Sequence, residues 1–378
     1  MEDKGRLSRT AIDLSPFSDA IANRSERFIR RVKKQKVFGW FCTYTPIELI
    51  HATRFLPVRI YGGMTTVEKA GTLVPNFVCP YMRTSLERAM RGEYKYLSGV
   101  IQGYTCDISC GMMNIWAENS GLKTFHTVPL PYNTNDSARD FYRKTLNELI
   151  DKLNAAGGKF EMASLSRSLD LYADIRNKLL RLHELRRQNI FNPQARDFYT
   201  IMEAGFCMPP EEYMEHLTKL VGEVEKLKSN PVSGIPVLVS GSIVEQMWIF
   251  DLLEAAGGRL VADDLCNGRR FCDPADGQGK DPLDRLIDRY MHRFPCPARS
   301  IVDDRVPRVK QLVEESGARG VIFLFQKFCT PHLADYPALS AALRDDGIAV
   351  LPIEMDESGN IEGQLKTRFG AFFEMING

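Results

Sequence analysis

The chain has 378 residues, 44% of them hydrophobic and 26% charged, long enough for two domains and a sizeable core. Lys plus Arg number 49 against 48 Asp plus Glu, so the formal charge is +1 and gives no reason to expect nucleic-acid or membrane-surface binding. The most apolar stretch, residues 235–250, is broken by Glu245 and falls short of the roughly 18 uncharged apolar residues of a membrane span. Residues 1–14 mix acidic and basic side chains without the apolar run of a secretory leader, so a cytoplasmic protein is expected.

Residues 1–35 read as a charged N-terminal arm. From Lys36 short strands alternate with helices. Apolar runs rich in β-branched and aromatic residues predict strands at 37–41, 58–61, 73–78, 97–103 and 124–128. Helices are expected at 46–55, at 84–91 and at 137–155, the last with Phe141, Leu146, Leu149, Ile150 and Leu153 on one face. Residues 36–160 thus form a first α/β lobe. Residues 161–232 form a helical insertion, with helices at 164–190 and 210–227. A second α/β lobe spans 233–378, with strands at 236–240, 259–262, 320–325 and 348–352 and helices at 243–256, 282–290, 305–316 and 336–344. Such alternation predicts an α/β fold of two doubly wound parallel sheets.

Nine cysteines are an odd number in a chain too long to need disulfides. Cys42, Cys79, Cys106, Cys110, Cys266 and Cys329 follow predicted strands, where open α/β sheets build their ligand sites. Cys79-Pro80, Cys296-Pro297 and Cys329-Thr330-Pro331 place thiols in rigid turns, and a Cys-Pro pair ends some bacterial iron–sulfur ligand runs. Cys106 and Cys110 stand one turn apart at a strand-to-helix transition, where the helix dipole favours thiolates. Structural zinc prefers two tight cysteine pairs, and the six histidines are singletons. A lone nucleophilic cysteine explains one thiol of the nine. Thiolates converging from separate loops suit a cluster held between domains, but spacing alone leaves inert buried thiols equally standing.

The run Gly39-Trp-Phe-Cys-Thr-Tyr-Thr-Pro-Ile-Glu-Leu-Ile-His-Ala, followed in order by Cys79-Pro-Tyr, Thr105-Cys-Asp, Val261-Ala-Asp-Asp-Leu-Cys, Lys327-Phe-Cys and Gly363-Gln-Leu-Lys-Thr-Arg-Phe-Gly-Ala-Phe-Phe-Glu-Met, resembles the 2-hydroxyacyl-CoA dehydratase and benzoyl-CoA reductase family. The resemblance implies two flavodoxin-like lobes with an iron–sulfur cluster between them, held as [4Fe-4S] by cysteines matching Cys79, Cys106 and Cys329. It also implies a homologous catalytic-module subunit as partner and an ATP-hydrolysing iron–sulfur activator as electron donor. The additional Cys110, Cys266 and Cys296 resemble the branch with a double-cubane [8Fe-9S] cluster, so all six are taken as cluster ligands and Cys42, Cys207 and Cys272 are left out. The run Arg59-Ile-Tyr-Gly-Gly-Met-Thr-Thr looks most like the small catalytic-module subunit of ATP-dependent benzoyl-CoA reductase. That implies single-electron, radical reduction of an aromatic acyl-CoA in anaerobic aromatic degradation. The alternatives are a 2-hydroxyacyl-CoA dehydratase subunit and a double-cubane electron relay or small-molecule reductase without its own acyl-CoA site.

No G-x(4)-G-K-[ST] loop is present, and neither NAD nor flavin is expected, because Gly62-Gly63, Gly157-Gly158 and Gly257-Gly258 lack the G-x-G-x-x-G form. His126, Tyr44 and Glu48 are the candidate catalytic residues, His126 as a proton donor near the substrate and the other two just after the first strand. Against these stand a satisfied structural histidine and a first-turn helix glutamate. His332, three residues after Cys329, is placed to hydrogen-bond a cluster sulfur. Asp263 and Asp264 are expected to bond their own loop, and the basic run 30–36 reads as a solvated helix face.

Overall fold

The computed structural model describes residues 12–357 and 361–378. Two helices, α1 (Ser15–Ala22) and α2 (Arg24–Arg31), open the described chain. The first α/β unit runs β1 (Val37–Trp40), α3 (Ile47–Ala52), β2 (Leu56–Arg59), α4 (Pro80–Met90), β3 (Leu97–Gly103), α5 (Asp107–Asn119), β4 (Phe125–Val128) and α6 (Asp136–Ala155). Three helices follow, α7 (Met162–Arg187), α8 (Ala195–Ala204) and α9 (Pro210–Val224). The second unit is β5 (Ile235–Gly241), α10 (Trp248–Ala255), β6 (Gly258–Asp264), α11 (Arg269–Cys272), α12 (Pro282–Met291), α13 (Val302–Ser316), β7 (Gly320–Gln326), α14 (Thr330–Asp345), β8 (Ala349–Met355) and α15 (Glu362–Asn377).

The strands form two four-stranded sheets, ordered β2-β1-β3-β4 and β6-β5-β7-β8, and every neighbouring pair is parallel. The two orders are the same: each sheet starts on its second strand and reverses direction between its first and third in sequence. That reversal opens a crevice beyond the carboxyl ends of β1 and β3 in one sheet and of β5 and β7 in the other. β7, Gly-Val-Ile-Phe-Leu-Phe-Gln, is buried along its whole length, as a central parallel strand covered on both faces must be. The largest apolar core runs from the first sheet through α7–α9 into the second, and α1 joins it through Phe17, which meets Tyr213 edge-on at 6.0 Å between ring centroids.

Four expectations are corrected. Residues 73–78 form no strand: after a 3-10 turn at Ala70–Thr72 they loop over the surface, with Pro75 unable to donate to a ladder and Phe77 60% exposed. The strand expected at 58–61 starts earlier, at Leu56, and Pro57 is tolerated because β2 is a sheet edge. The helix expected from 243 begins at Trp248. The preceding backbone is bonded by side chains instead: Asn267 takes the Val244 N–H (3.2 Å) and donates to its carbonyl (2.7 Å), while Gln326 donates to the Ile243 carbonyl (2.9 Å). On α6 Tyr142, fully buried, takes the place expected of Phe141, which is 48% exposed. Helices α8 and α15 lie outside the expected set. Of the expected arm, residues 1–11 lie outside the described residues.

The two halves are tied together where Glu245, from the loop before α10, reaches into the first unit. Its carboxylate accepts from the Gly62 and Gly63 N–H groups (2.9 and 2.6 Å) and from Arg59 Nη2 (2.8 Å). A Cβ at Gly62 would lie 2.2 Å from Thr84 Oγ1, so only glycine lets this turn approach α4. The pair Gly62-Gly63 is thus a carboxylate-binding turn.

Candidate metal centre

Three helices begin on a cysteine. Cys79 is the N-cap of α4, Cys106 of α5 and Cys329 of α14, with proline in the first turn of α4 and α14. The first-turn N–H groups of each helix are oriented towards its own cap. At α5 the Ser109 N–H donates to Cys106 Sγ at 3.4 Å. Two further thiols follow strands, Cys42 after β1 and Cys266 after β6, and Cys296 sits in the turn after α12. All six of these side chains line one cavity of about 120 Å³ between the two sheets, at the crevice that the strand order opens.

Within the cavity the thiols fall into two sets. Cys79 and Cys106 feel each other, and Cys329 feels both; Cys42 feels Cys296 and Cys266, which also interact with one another. Cys329 is within reach of Cys266 and links the sets. Burial pushes the Cys42 and Cys79 thiols up to about 12 and carries Cys329 well above its ordinary range, so these groups stay protonated at neutral pH in the absence of a bound cation. Among the described residues no three His, Cys, Asp or Glu side chains converge closely enough to share one metal ion. A cubane takes each thiolate on a different iron, so a set of separated thiols around a common cavity suits a cluster where it does not suit a single ion.

The walls are fixed from behind. Arg270 Nη1 lies 3.7 Å from Cys266 Sγ and 3.6 Å from Cys296 Sγ. Its Nε faces Asp264 Oδ1 at 2.8 Å, and Asp264 Oδ2 also accepts from Ser240 Oγ and Arg305 Nη2, both at 2.9 Å. Asp263 Oδ1 accepts the Leu265 and Arg269 N–H groups (3.1 and 2.8 Å) and so bonds its own loop as expected, whereas Asp264 is held instead by Ser240, Arg270 and Arg305 from other elements. His332 Nδ1 is 3.2 Å from Cys329 Sγ and Nε2 is 3.0 Å from the Gly241 carbonyl. Burial, with Arg270 and Arg305 close by, keeps this imidazole neutral. On the opposite side Thr105 Oγ1 donates to Cys42 Sγ at 3.4 Å.

The other expected site residues are placed differently. Cys110 is absent from the cavity lining: it lies one turn into α5, half-exposed beside Tyr104, and burial raises its thiol. Cys42, left out of the expected ligand set, lines the cavity in its stead; its position directly after the first strand of a sheet was the available signal. Glu48 is fully buried and paired with Arg176, and Tyr290 Oη donates to it at 2.8 Å. Tyr44 is buried under Arg293, whose guanidinium lies 4.9 Å from the ring centroid. His126 sits on β4 opposite Ile101, within reach of Glu148 and Lys152 of α6. None of the three lines the cavity. Cys207 and Cys272 are buried elsewhere in the core.

Residues 42–376 match the family model described as 2-hydroxyglutaryl-CoA dehydratase, D-component. The chain belongs to this family. Among curated proteins it is similar to the (R)-phenyllactyl-CoA dehydratase beta subunit of Clostridium sporogenes, 27% identical over 95% of this chain and 97% of that one. The beta subunit of lactoyl-CoA dehydratase from Anaerotignum propionicum is also 27% identical, over 98% and 100% of the two chains. A benzoyl-CoA reductase subunit of Thauera aromatica is 24% identical over 90% and 91%. Family members therefore include subunits of dehydratases and of a reductase. Among the described residues no helix is long and apolar enough to cross a membrane.

Proposed function

We propose that this chain is the iron–sulfur component of a low-potential reductase, with Cys79, Cys106 and Cys329 holding one half of a double-cubane cluster and Cys42, Cys266 and Cys296 the other. The observation that carries the reading is the convergence of six thiols, drawn from both sheets, on one cavity. The donor set fits the group: soft sulfur ligands, with N–H and O–H donors from Ser109, Thr105 and Arg270 directed at the sulfurs. When bound, such a group supplies single electrons at low potential.

The residues of the chain do the rest. Phe41, Met82, Ile243 and Pro331 give the cavity apolar walls beside the thiols. The helix N-termini at Cys79, Cys106 and Cys329 and the Arg270 guanidinium offset negative charge gained on reduction. Electrons come from a separate ATP-hydrolysing iron–sulfur activator, in keeping with the missing phosphate-loop motif in this sequence.

The acceptor reading follows from size. Small-molecule sites span about 300–1,000 Å³, whereas this cavity has about 120 Å³. On this reading the chain serves as an electron-delivering component whose acceptor is small or is held by a homologous partner subunit. Reduction of an aromatic acyl-CoA on such a partner is the second reading, favoured by the similarity to a benzoyl-CoA reductase subunit along most of both chains.

Iron and acid-labile sulfide counted on protein purified without oxygen test this. About eight irons per chain are expected. About four would reduce the cluster to a single cubane on Cys79, Cys106 and Cys329, and none would overturn the reading.

A further inference from the structure

Gln102 and Gln326 end equivalent strands, β3 and β7, each the third strand of its sheet, and both side chains line the cavity. Gln326 is satisfied by protein, its Nε2 donating to the Ile243 carbonyl at 2.9 Å. Gln102 is not. It is 0% exposed, and among the described residues neither Oε1 nor Nε2 has a hydrogen-bond partner. A buried amide left in that state costs about 1–3 kcal/mol per group and is rare in native proteins.

The two ends of the amide ask for different things. Nε2 is a donor, and thiolate or cluster sulfide satisfies it. Oε1 is an acceptor, and sulfur that has lost its proton has nothing to offer it. Several wall groups direct their hydrogens elsewhere: Thr105 Oγ1 to Cys42 Sγ, Tyr81 Oη to the Ile60 carbonyl (2.7 Å), Ser109 Oγ to the Cys106 carbonyl (3.0 Å), and Arg59 Nη1 and Nη2 to Glu203 and Glu245; Arg59 Nε and the Ser242 hydroxyl also border the cavity, and neither bonds Oε1. No described protein group bonds Oε1, which leaves it open to an O–H or N–H on a molecule inside the cavity.

We propose that Gln102 Oε1 anchors a small-molecule site beside the thiols, and that its ligand is a neutral O–H or N–H compound of a few heavy atoms, water in the resting protein. Size sets the class, because the roughly 120 Å³ of the cavity is shared with the cluster. The inference rests on the cluster reading for the state of the sulfurs, while the unpartnered amide is independent of it.

The test uses full-length protein handled without oxygen, as wild type and as Gln102→Met, with Gln102→Leu as a second variant if the first does not fold. Crystal structures at high resolution, with and without methanol as the probe, are expected to show an ordered oxygen in hydrogen-bond contact with Oε1. Methanol should replace it in wild type, and both should be lost in the variant at unchanged iron content. On the reduced protein, the hyperfine coupling of a proton that exchanges in D2O should be lost in the variant as well. An Oε1 bonded to a protein group, or an exchangeable coupling that persists in the variant, overturns the proposal. Iron-free protein that still orders an oxygen at Oε1 keeps this site and sinks the cluster reading; iron-loaded protein with Oε1 on a protein donor does the reverse.

Discussion

Arg270 places one guanidinium nitrogen between two cysteine sulfurs, 3.6 Å from Cys296 and 3.7 Å from Cys266, with Asp264 and Arg305 stacked behind it. Arg270 acts on Cys266 through its charge, whereas burial and the neighbouring Cys106 act on Cys79, so the two thiol sets differ in charge environment.

In the proposed cluster, reduction would add negative charge, which Arg270 would stabilise. Replacing it by lysine, which keeps the charge for Asp264 but loses the fork, is expected to lower the midpoint potential. One charged hydrogen bond is worth about 1.5–3 kcal/mol, which for one electron makes a shift of about 65–130 mV. A redox titration followed by electron paramagnetic resonance reads it, and an unchanged potential at full iron content would refute the role.

The cysteine sets make opposite predictions for two neighbours of the cavity. Cys42→Ala should lose about half of the bound iron, as Cys266→Ala and Cys296→Ala should, because each removes one of three ligands from the same half. Cys110→Ala should retain all of it. Iron analysis of the four proteins decides between this ligand set and the one that counts Cys110.

Glu48 governs acid stability. Burial alone would raise its carboxyl, but Arg176 and Arg289 outweigh burial and hold it at about 2 against an ordinary value of 4.5. A folded value below the unfolded one contributes stability that is fully present above pH 4.5 and is lost as pH falls towards 2. The contribution is on the order of 3 kcal/mol. Glu48→Gln should therefore lower the denaturant midpoint at pH 7 and flatten the dependence of stability on pH between these limits. A variant with the wild-type acid profile would show that other carboxylates control it.

Glu245→Ala removes the carboxylate that the Gly62 and Gly63 amides and Arg59 share, and leaves Arg59 to Glu203 alone. A loss of about 3–5 kcal/mol is expected from breaking one partner out of a buried ion pair. Because this contact spans the two halves, cluster retention in air should shorten with it. Denaturant melts and the decay of visible absorbance after exposure to oxygen are the measurements.

The β/α alternation was legible because buried parallel strands are short apolar runs separated by amphipathic helices, and eight of the nine expected strands are present. Residues 73–78 misled because their apolar residues cover a loop and not a sheet face. The start of α10 was invisible because Asn267 and Gln326, distant in sequence, supply the bonds that a helix would have made. The cysteines read well where position alone matters: Cys79, Cys106 and Cys329 were found at strand or helix ends. Cys110 lies outside the cavity lining because four residues of helix carry it about 6 Å along the axis from the Cys106 cap. Glu48, Tyr44 and His126 were placed by nearness in sequence, but burial and pairing turn the first two into the core and leave the third on β4 beside α6.

The proposed ligand sets interleave the two halves of the chain. One takes Cys79 and Cys106 from the first sheet and Cys329 from the second; the other takes Cys42 from the first and Cys266 and Cys296 from the second. The first set is incomplete until Cys329, at the start of α14, has been synthesised, and the second until Cys296, after α12. On these proposed sets the N-terminal half alone supplies only Cys42, Cys79 and Cys106, so a cluster would be loaded only once both halves are made. A product truncated before Cys329 would lack a ligand of the first set, so the proposed centre would be assembled on an essentially complete, folded, thiol-lined chain.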